Sequence, residues 1–223
     1  MGYVIEGDKI TIKSAFAIGR DFLIDNSGLD VMGIGRDVSL FEGLLDLCVC
    51  SYVVEDGSGS FSTEDGILYD RDGTILIRFP QGRHEDSFEV PDRVRAIGGH
   101  AFESCVIGSI DIPDSVESIG SCAFRNSTVK NVRLPSLESI PERCFADTRF
   151  LEGLELPWSV TVLGDGAFGH SALTRIDLSN VIEIGDCCFI GSDVSDVVSI
   201  SSLRRIGRDA FSLTPLQGIG PFS

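Results

Sequence analysis

The chain of 223 residues is 43% hydrophobic and 23% charged, enough apolar material for a substantial core and too much for a disordered polymer. Asp and Glu outnumber Lys and Arg by 34 to 18, and the formal charge of -16 works against phosphate backbones and anionic lipid, so nucleic acid is not an expected partner. No apolar run approaches the roughly 18 to 20 residues that cross a bilayer, so no membrane insertion is expected either.

The first residues, Met1-Gly2-Tyr3-Val4-Ile5-Glu6-Gly7-Asp8, contain neither a basic n-region nor an apolar h-region, and Glu6 stands where a myristoylation signal needs Ser or Thr. The expectation is a chain that stays inside the cell, or one whose export signal lies outside these residues. Residues 1-60 look irregular, yet Ile34-Gly35-Arg36-Asp37 recurs letter for letter as Ile206-Gly207-Arg208-Asp209. Ser39 then occupies the slot that Phe211 fills, and Leu44, Leu47 and Val49 follow at the spacing of the strand phrase described below. We read residues 1-60 as degenerate N-terminal repeats, with a further coil near Ala15-Phe16. Residues 61-87 read as a β-hairpin insertion, because apolar runs around Leu68 and Leu76 flank the turn signal Asp70-Arg71-Asp72-Gly73.

From residue 88 to 223 a regular repeat takes over. Phe102, Phe124, Phe145, Phe168, Phe189 and Phe211 are 22, 21, 23, 21 and 22 residues apart. A unit that short cannot bury its own apolar face and must stack on its neighbours, so the whole chain is expected to form one continuous solenoid. Five residues before each Phe stands Ile97, Ile119, Ile140, Leu163, Ile184 or Ile206, an inward aliphatic slot. Next comes Gly98, Gly120, Pro141, Gly164, Gly185 or Gly207. Because the Pro141 ring holds φ near -65°, this column signals close backbone packing rather than a positive φ.

The residue before each Phe is Ala or Cys, which explains Cys144 and Cys188 as small core residues, and three residues after it stands Cys105, Ser127, Thr148, Ser171, Ser192 or Thr214. These small donors suit a turn whose backbone groups need partners. Beyond the turn, the phrase Val129, Val132 and Leu134, then Pro135, recurs as Leu151, Leu154 and Leu156, then Pro157, and as Leu173, Ile176 and Leu178. It reads as one short strand per coil, stopped by proline. The fold class is therefore a right-handed solenoid with short parallel strands on a concave face and turns and short helical segments opposite. The last phrase, Leu216, Ile219 and Phe222-Ser223, carries no polar cap, so edge-to-edge self-association at the C-terminal coil is expected.

The phrase Ile112-Pro113-Asp114-Ser115-Val116-Glu117-Ser118-Ile119-Gly120-Ser121-Cys122-Ala123-Phe124 resembles the consensus of the BspA-like leucine-rich repeat family. The resemblance covers about residue 88 to the C-terminus, and Asp65 to Pro80 resembles a hairpin insertion common in that family. It implies a surface or secreted adhesion protein, cytoplasmic location being the alternative.

Chemistry is sparse. Cys122 and Cys187 share a column three coils apart, roughly 15 Å at the ~4.8 Å strand spacing, and Cys144 and Cys188 are roughly 10 Å apart by the same rule, so neither pair can bridge. Cys48-x-Cys50 is read as pointing its thiols to opposite faces. His84, His100 and His170 fall at unrelated offsets, so no catalytic triad or metal set emerges. Asp70-x-Asp72-Gly73 opens like a calcium loop but lacks the later ligands, and a tight turn explains it. Asn126-Ser127-Thr128 is a formal glycosylation sequon without a visible export route. No cofactor, metal or catalytic residue is expected.

The positions between the inward ones remain. Asp111, Arg133, Glu155, Asp177 and Val198 form one outward column, and Ser109, Asn131, Gly153, Arg175 and Asp196 the next. These residues are the candidate surface for a protein ligand, or else simply solvate the sheet. Trp158, directly after Pro157, is either an exposed contact anchor or core edge. The expected function is non-enzymatic protein recognition or adhesion. An intracellular scaffold or regulatory subunit using the same face is the alternative, and an enzyme with a site in residues 1-60 or around the hairpin is the alternative from another class.

Overall fold

A computed structural model describes residues 3-7, 9-12, 30-35 and 48-216. The chain divides into two compact units, Met1–His84 and Glu85–Ser223.

In the first unit β1 (Tyr3–Glu6) turns back on β2 (Lys9–Ile12), which starts a parallel ladder with β3 (Val31–Ile34) and β4 (Ser51–Val54). Ile12, Ile34 and Val54 lie in register, and the Gly35 amide donates to the Ile12 carbonyl at 2.6 Å. Downstream, the Gly120 amide bonds the Ile97 carbonyl in the same way at 2.8 Å. Ile34-Gly35 therefore behaves as a repeat slot; Ser39, Leu44, Leu47 and the Ala15-Phe16 coil lie outside the described residues. Val49 is buried between exposed Cys48 and Cys50. The two thiols thus share a side, as an i, i+2 spacing in extended chain requires, and the opposite-face expectation was wrong.

The hairpin follows as β5 (Phe61–Glu64), β6 (Ile67–Asp70) and β7 (Ile75–Arg78), all antiparallel. The Asp70 carboxylate accepts the amides of Thr74 and Ile75 at 2.6 and 2.7 Å and the Thr74 hydroxyl at 3.0 Å. Asp70-x-Asp72-Gly73 is a turn tied by its first aspartate.

The second unit carries two strands per coil, where one was expected. The first ladder comprises β8 (His84–Glu89), β10 (Val106–Asp111), β12 (Asn131–Arg133), β14 (Gly153–Leu154), β16 (Arg175–Ile176) and β18 (Asp196–Val197). The second comprises β9 (Ala96–Ile97), β11 (Ser118–Ile119), β13 (Ser139–Ile140), β15 (Val162–Leu163), β17 (Glu183–Ile184) and β19 (Arg205–Ile206). The Ile slot before the glycine column ends each second strand. Two-residue strands carry no alternation for sequence reading to detect.

Between the second strand and the next first strand runs an unbroken string of turns centred on the Phe; no helix occurs among the described residues, so the expected short helical segments are turns. The six rings stack with centroids 5.0 to 5.6 Å apart and interplanar angles of 3 to 13°, and Phe88 leans on the first ring at 6.0 Å. Phe102 through Phe189 are fully buried. Burial of each such side chain stabilises by about 1.5 to 3 kcal/mol, and each aromatic contact adds about 0.5 to 1.5 kcal/mol.

The backbone around the rings alternates in hand. Two residues before every Phe, φ is positive: His100, Cys122, Arg143, Gly166, Cys187 and Asp209, between 50 and 61°. Two residues after, it is positive again: Ser104, Asn126, Asp147, His170, Gly191 and Leu213, between 56 and 62°. This alternation aims three amides of each coil forward. The amides of Cys122, Phe124 and Asn126 donate to the carbonyls of Glu142, Cys144 and Ala146 in the next coil at 3.0, 2.9 and 2.9 Å, and the pattern repeats through Cys187, Phe189 and Gly191. The intervening amides close turns three residues back, as Arg125 does on Cys122 and Ser127 on Phe124.

The glycine column owes its composition to crowding, as the sequence predicts. A Cβ on Gly120 would fall 2.3 Å from the Gly99 nitrogen, one on Gly185 2.6 Å from the Asp165 nitrogen, and one on Gly207 2.3 Å from the Gly185 carbonyl carbon. Each glycine amide donates back to the preceding coil, Gly164 to Ile140, Gly185 to Leu163 and Gly207 to Ile184, at 2.7 to 2.8 Å. Pro141 has no N–H to donate, and the second ladder breaks there, between β11 and β13.

The turn hydroxyls divide. Thr148 and Thr214 donate to the carbonyls of Phe145 and Phe211 at 2.6 and 2.8 Å, whereas the buried hydroxyls of Ser127, Ser171 and Ser192 have no partner. The seven cysteines are unbridged, and Cys144 and Cys188 are wholly buried, which pushes both thiol pKa values up.

Crowding at the glycine column yields a paired prediction. Gly120→Ala should lower unfolding stability by about 1 to 3 kcal/mol as an overpacking change. Gly153→Ala, whose Cβ meets only the Asn131 side-chain oxygen at 3.0 Å, should stay within about 0.5 kcal/mol of wild type in urea titration.

Candidate functional site

The strand face is built by the first ladder. Its registers set Ser109 beside Asn131 beside Gly153, and Asp111 beside Arg133. Across the break that follows β14, Arg175 lies beside Asp196. Inward neighbours Ile110, Val132, Leu154 and Ile176 are buried, so the outward side chains between them are held over a fixed core. Asp111, Asn131, Arg133, Glu155, Arg175, Asp177 and Asp196 are all exposed; Ser109 is half-buried, and its hydroxyl reaches the Asp86 carbonyl at 3.4 Å.

The charges on this face are partly paired with one another. Arg133 contacts Asp111 at 3.0 Å and Asp114 at 3.5 Å, and Arg175 contacts Asp196 at 2.7 Å. Exposed pairs of this kind contribute about 0 to 1 kcal/mol each and remain available to exchange partners. The pairing was legible in the spacing, since Asp111 and Arg133 are 22 residues apart and Arg175 and Asp196 are 21 apart, one repeat in each case. Asp177 accepts the hydroxyl and the amide of Ser179, and these bonds hold its carboxyl below the usual range.

Two grooves mark the middle of the face. One of about 520 Å³ lies over Asn131–Leu134 and Gly153–Pro157, and one of about 450 Å³ over Glu152–Leu156 and Arg175–Asp177. They share Gly153 to Leu156, where the column lacks a side chain. The coil that carries them is the 23-residue one, with one residue more between Phe145 and Leu154 than its neighbours have. Phe150, in that lengthened stretch, is 52% exposed. Trp158, directly after Pro157, has 80% of its surface in solvent.

Sequence reasoning missed a third groove on the turn side. It occupies about 540 Å³ where Gly166 and Gly169 interrupt the turn columns, and Arg143, Asp147, His170 and Asp186 stand around it. Its carboxylates are engaged: Asp165 accepts the Asp186 amide at 2.8 Å, and Asp186 accepts the Arg208 amide at 2.7 Å and its guanidinium at 3.2 Å. These acids cap the backbone of the following coil. Among the described residues no group of three or more His, Cys, Asp or Glu converges as a metal site, and no helix is long and apolar enough to cross a membrane.

The repeat also places the chain among known proteins. Residues 95-217 match the BspA type leucine rich repeat region in six copies, and the chain belongs to that family. Among solved structures it is similar to the pneumococcal vaccine antigen PcpA, at 24% identity and a TM-score of 0.61, covering 81% of this chain and 45% of that one. It is also similar to a leucine rich cell surface protein from Faecalibacterium prausnitzii A2-165, at 23% identity and a TM-score of 0.61, covering 86% and 56%. A leucine-rich repeat protein from Eubacterium ventriosum ATCC 27560 superposes with a TM-score of 0.67 at 18% identity, covering 89% and 62%. At these identities the likeness is one of fold, and the chain spans about half the length of the first two proteins. A comparison with curated proteins returned no match.

The exposure of Trp158, the single tryptophan, is directly measurable. Its fluorescence in the native protein should be quenched by iodide nearly as strongly as in urea-unfolded chain. Strong protection in the native state would mean that the ring packs against the coil.

Proposed function

We propose that this protein is a non-enzymatic recognition module whose strand face binds another protein, as part of a surface or secreted adhesion molecule. The observation that carries the reading is the division of labour within each coil. The positions that recur point inward, whereas the outward columns change from coil to coil and hold exposed charges, two grooves and Trp158. A solenoid with a regular core and a variable strand face has the architecture from which extended binding surfaces are made. Membership in the BspA-type family and the fold shared with a vaccine antigen and a cell surface protein support the location. The unbridged thiols favour a second reading, an intracellular scaffold that uses the same face.

A face-specific charge swap tests the reading. Immobilised wild-type chain is compared with an Arg133→Glu, Glu155→Lys, Arg175→Glu variant and with a turn-side Glu142→Lys, Arg149→Glu control, against extracellular proteins in one arm and cytosolic proteins in the other. The face reading predicts a partner that the control retains and the strand-face variant loses, and the arm that supplies it distinguishes the two locations. Equal capture by all three chains would refute the strand face as the binding surface.

A further inference from the structure

We propose that the groove over Gly153 to Leu156 and Arg175 to Asp177 receives an extended segment of a partner protein that presents Lys or Arg beside an apolar side chain. This rests on the strand-face reading and narrows it to one place and one ligand chemistry.

The floor of the groove lacks part of its own backbone pairing. The first ladder runs continuously from β8 to β14 and resumes with β16 and β18, but β14 and β16 do not pair. Elsewhere in this first ladder successive coils are joined strand to strand, as Asn131–Val132 is to Gly153–Leu154 and Arg175–Ile176 to Asp196–Val197. At the interruption the facing amides and carbonyls lack each other as partners. The two coils remain joined beside it, the Ala172 amide donating to the Thr148 carbonyl at 3.1 Å, so the interruption is confined to the floor of the groove.

The walls supply room and apolar contact. Gly153 leaves its column without a side chain, Leu154 and Leu156 line the base, and Val198 on the next coil is 46% exposed. Exposed Trp158 follows Pro157, which lines the neighbouring groove over Asn131–Leu134 rather than this one.

The charge balance sets the sign of the ligand. Arg175, the one arginine in the lining, contacts Asp196, and Arg133 on the neighbouring strand contacts Asp111 and Asp114. Among the described residues Glu152, Glu155 and Asp177 form no ion pair, and all three line the groove. Both Ser179 bonds to Asp177 fall on Oδ1 and none on Oδ2. Three carboxylates, Glu152, Glu155 and Asp177, thus stand against the single arginine Arg175 in the groove lining, on a chain of net charge -16, and a cationic segment is its complement.

The test is fluorescence anisotropy on the full chain with a labelled Gly-Ser-Leu-Lys-Leu-Lys-Gly-Ser peptide and its counterpart with Glu in place of Lys. The Lys peptide should bind, the Glu peptide should not, and raising salt from about 50 to about 500 mM should weaken binding severalfold. Glu155→Gln with Asp177→Asn should weaken it at least tenfold, whereas Glu117→Gln with Glu142→Gln should leave it unchanged. Absence of Lys-peptide binding, equal binding of the two peptides, or no effect of the Glu155/Asp177 pair would overturn the proposal. A partner lost with the charge-swapped face yet indifferent to Glu155→Gln with Asp177→Asn would leave the face as a binding surface and remove this groove from it.

Discussion

An amide that points along the stack needs a carbonyl in the next coil, and the second unit meets that need three times at every step between Phe coils. The alternation of hand around each Phe makes this possible. With left-handed residues on both sides, the amides at the Phe and two residues either way point forward together, while those between close turns on their own coil. Ten of the twelve left-handed positions are not glycine, and a left-handed conformation costs an L-residue about 1 to 2 kcal/mol. The forward bonds and the stacked rings offset that cost only when a neighbouring coil is present, so a single repeat is unstable by construction and the stack is cooperative.

This arrangement determines what each column tolerates. The Phe slot is filled six times because each ring is the stacking partner of the next, and the glycine column is closed to side chains by the backbone one coil earlier. Pro141 is the exception in that column, and there the loss of one N–H donor coincides with the break in the second ladder. The outward columns of the first ladder carry no such demand. Their side chains vary in charge and size, and the one lengthened coil carries the exposed Phe150 and Trp158 and borders the grooves around Gly153. Stability and recognition thus occupy different positions of the same repeat.

Much of this was legible in the residues. The Phe spacing identified the solenoid, Pro141 showed that its column is about packing, and small residues before the Phe accounted for Cys144 and Cys188. The hairpin followed from its turn signal. The left-handed columns were not legible, because His, Ser, Cys, Asn, Arg, Asp and Leu all accept that conformation here under tertiary pressure, and local preference leaves no trace of it. The second ladder was hidden by its brevity. For the candidate site, the outward positions could be read from alternation, whereas the exposure of Trp158 and the interrupted pairing at Gly153 depend on how one coil sits on the next.

Native-state hydrogen exchange in a Phe145→Ala variant tests the coupling between coils most directly. If the ring stack and the forward amides act together, the amides of Phe124 and Phe168 in the adjacent coils lose protection along with those of the substituted coil. Loss of protection confined to residues 141-151, with Phe124 and Phe168 unchanged, would contradict the claim that neighbouring coils hold each turn in place.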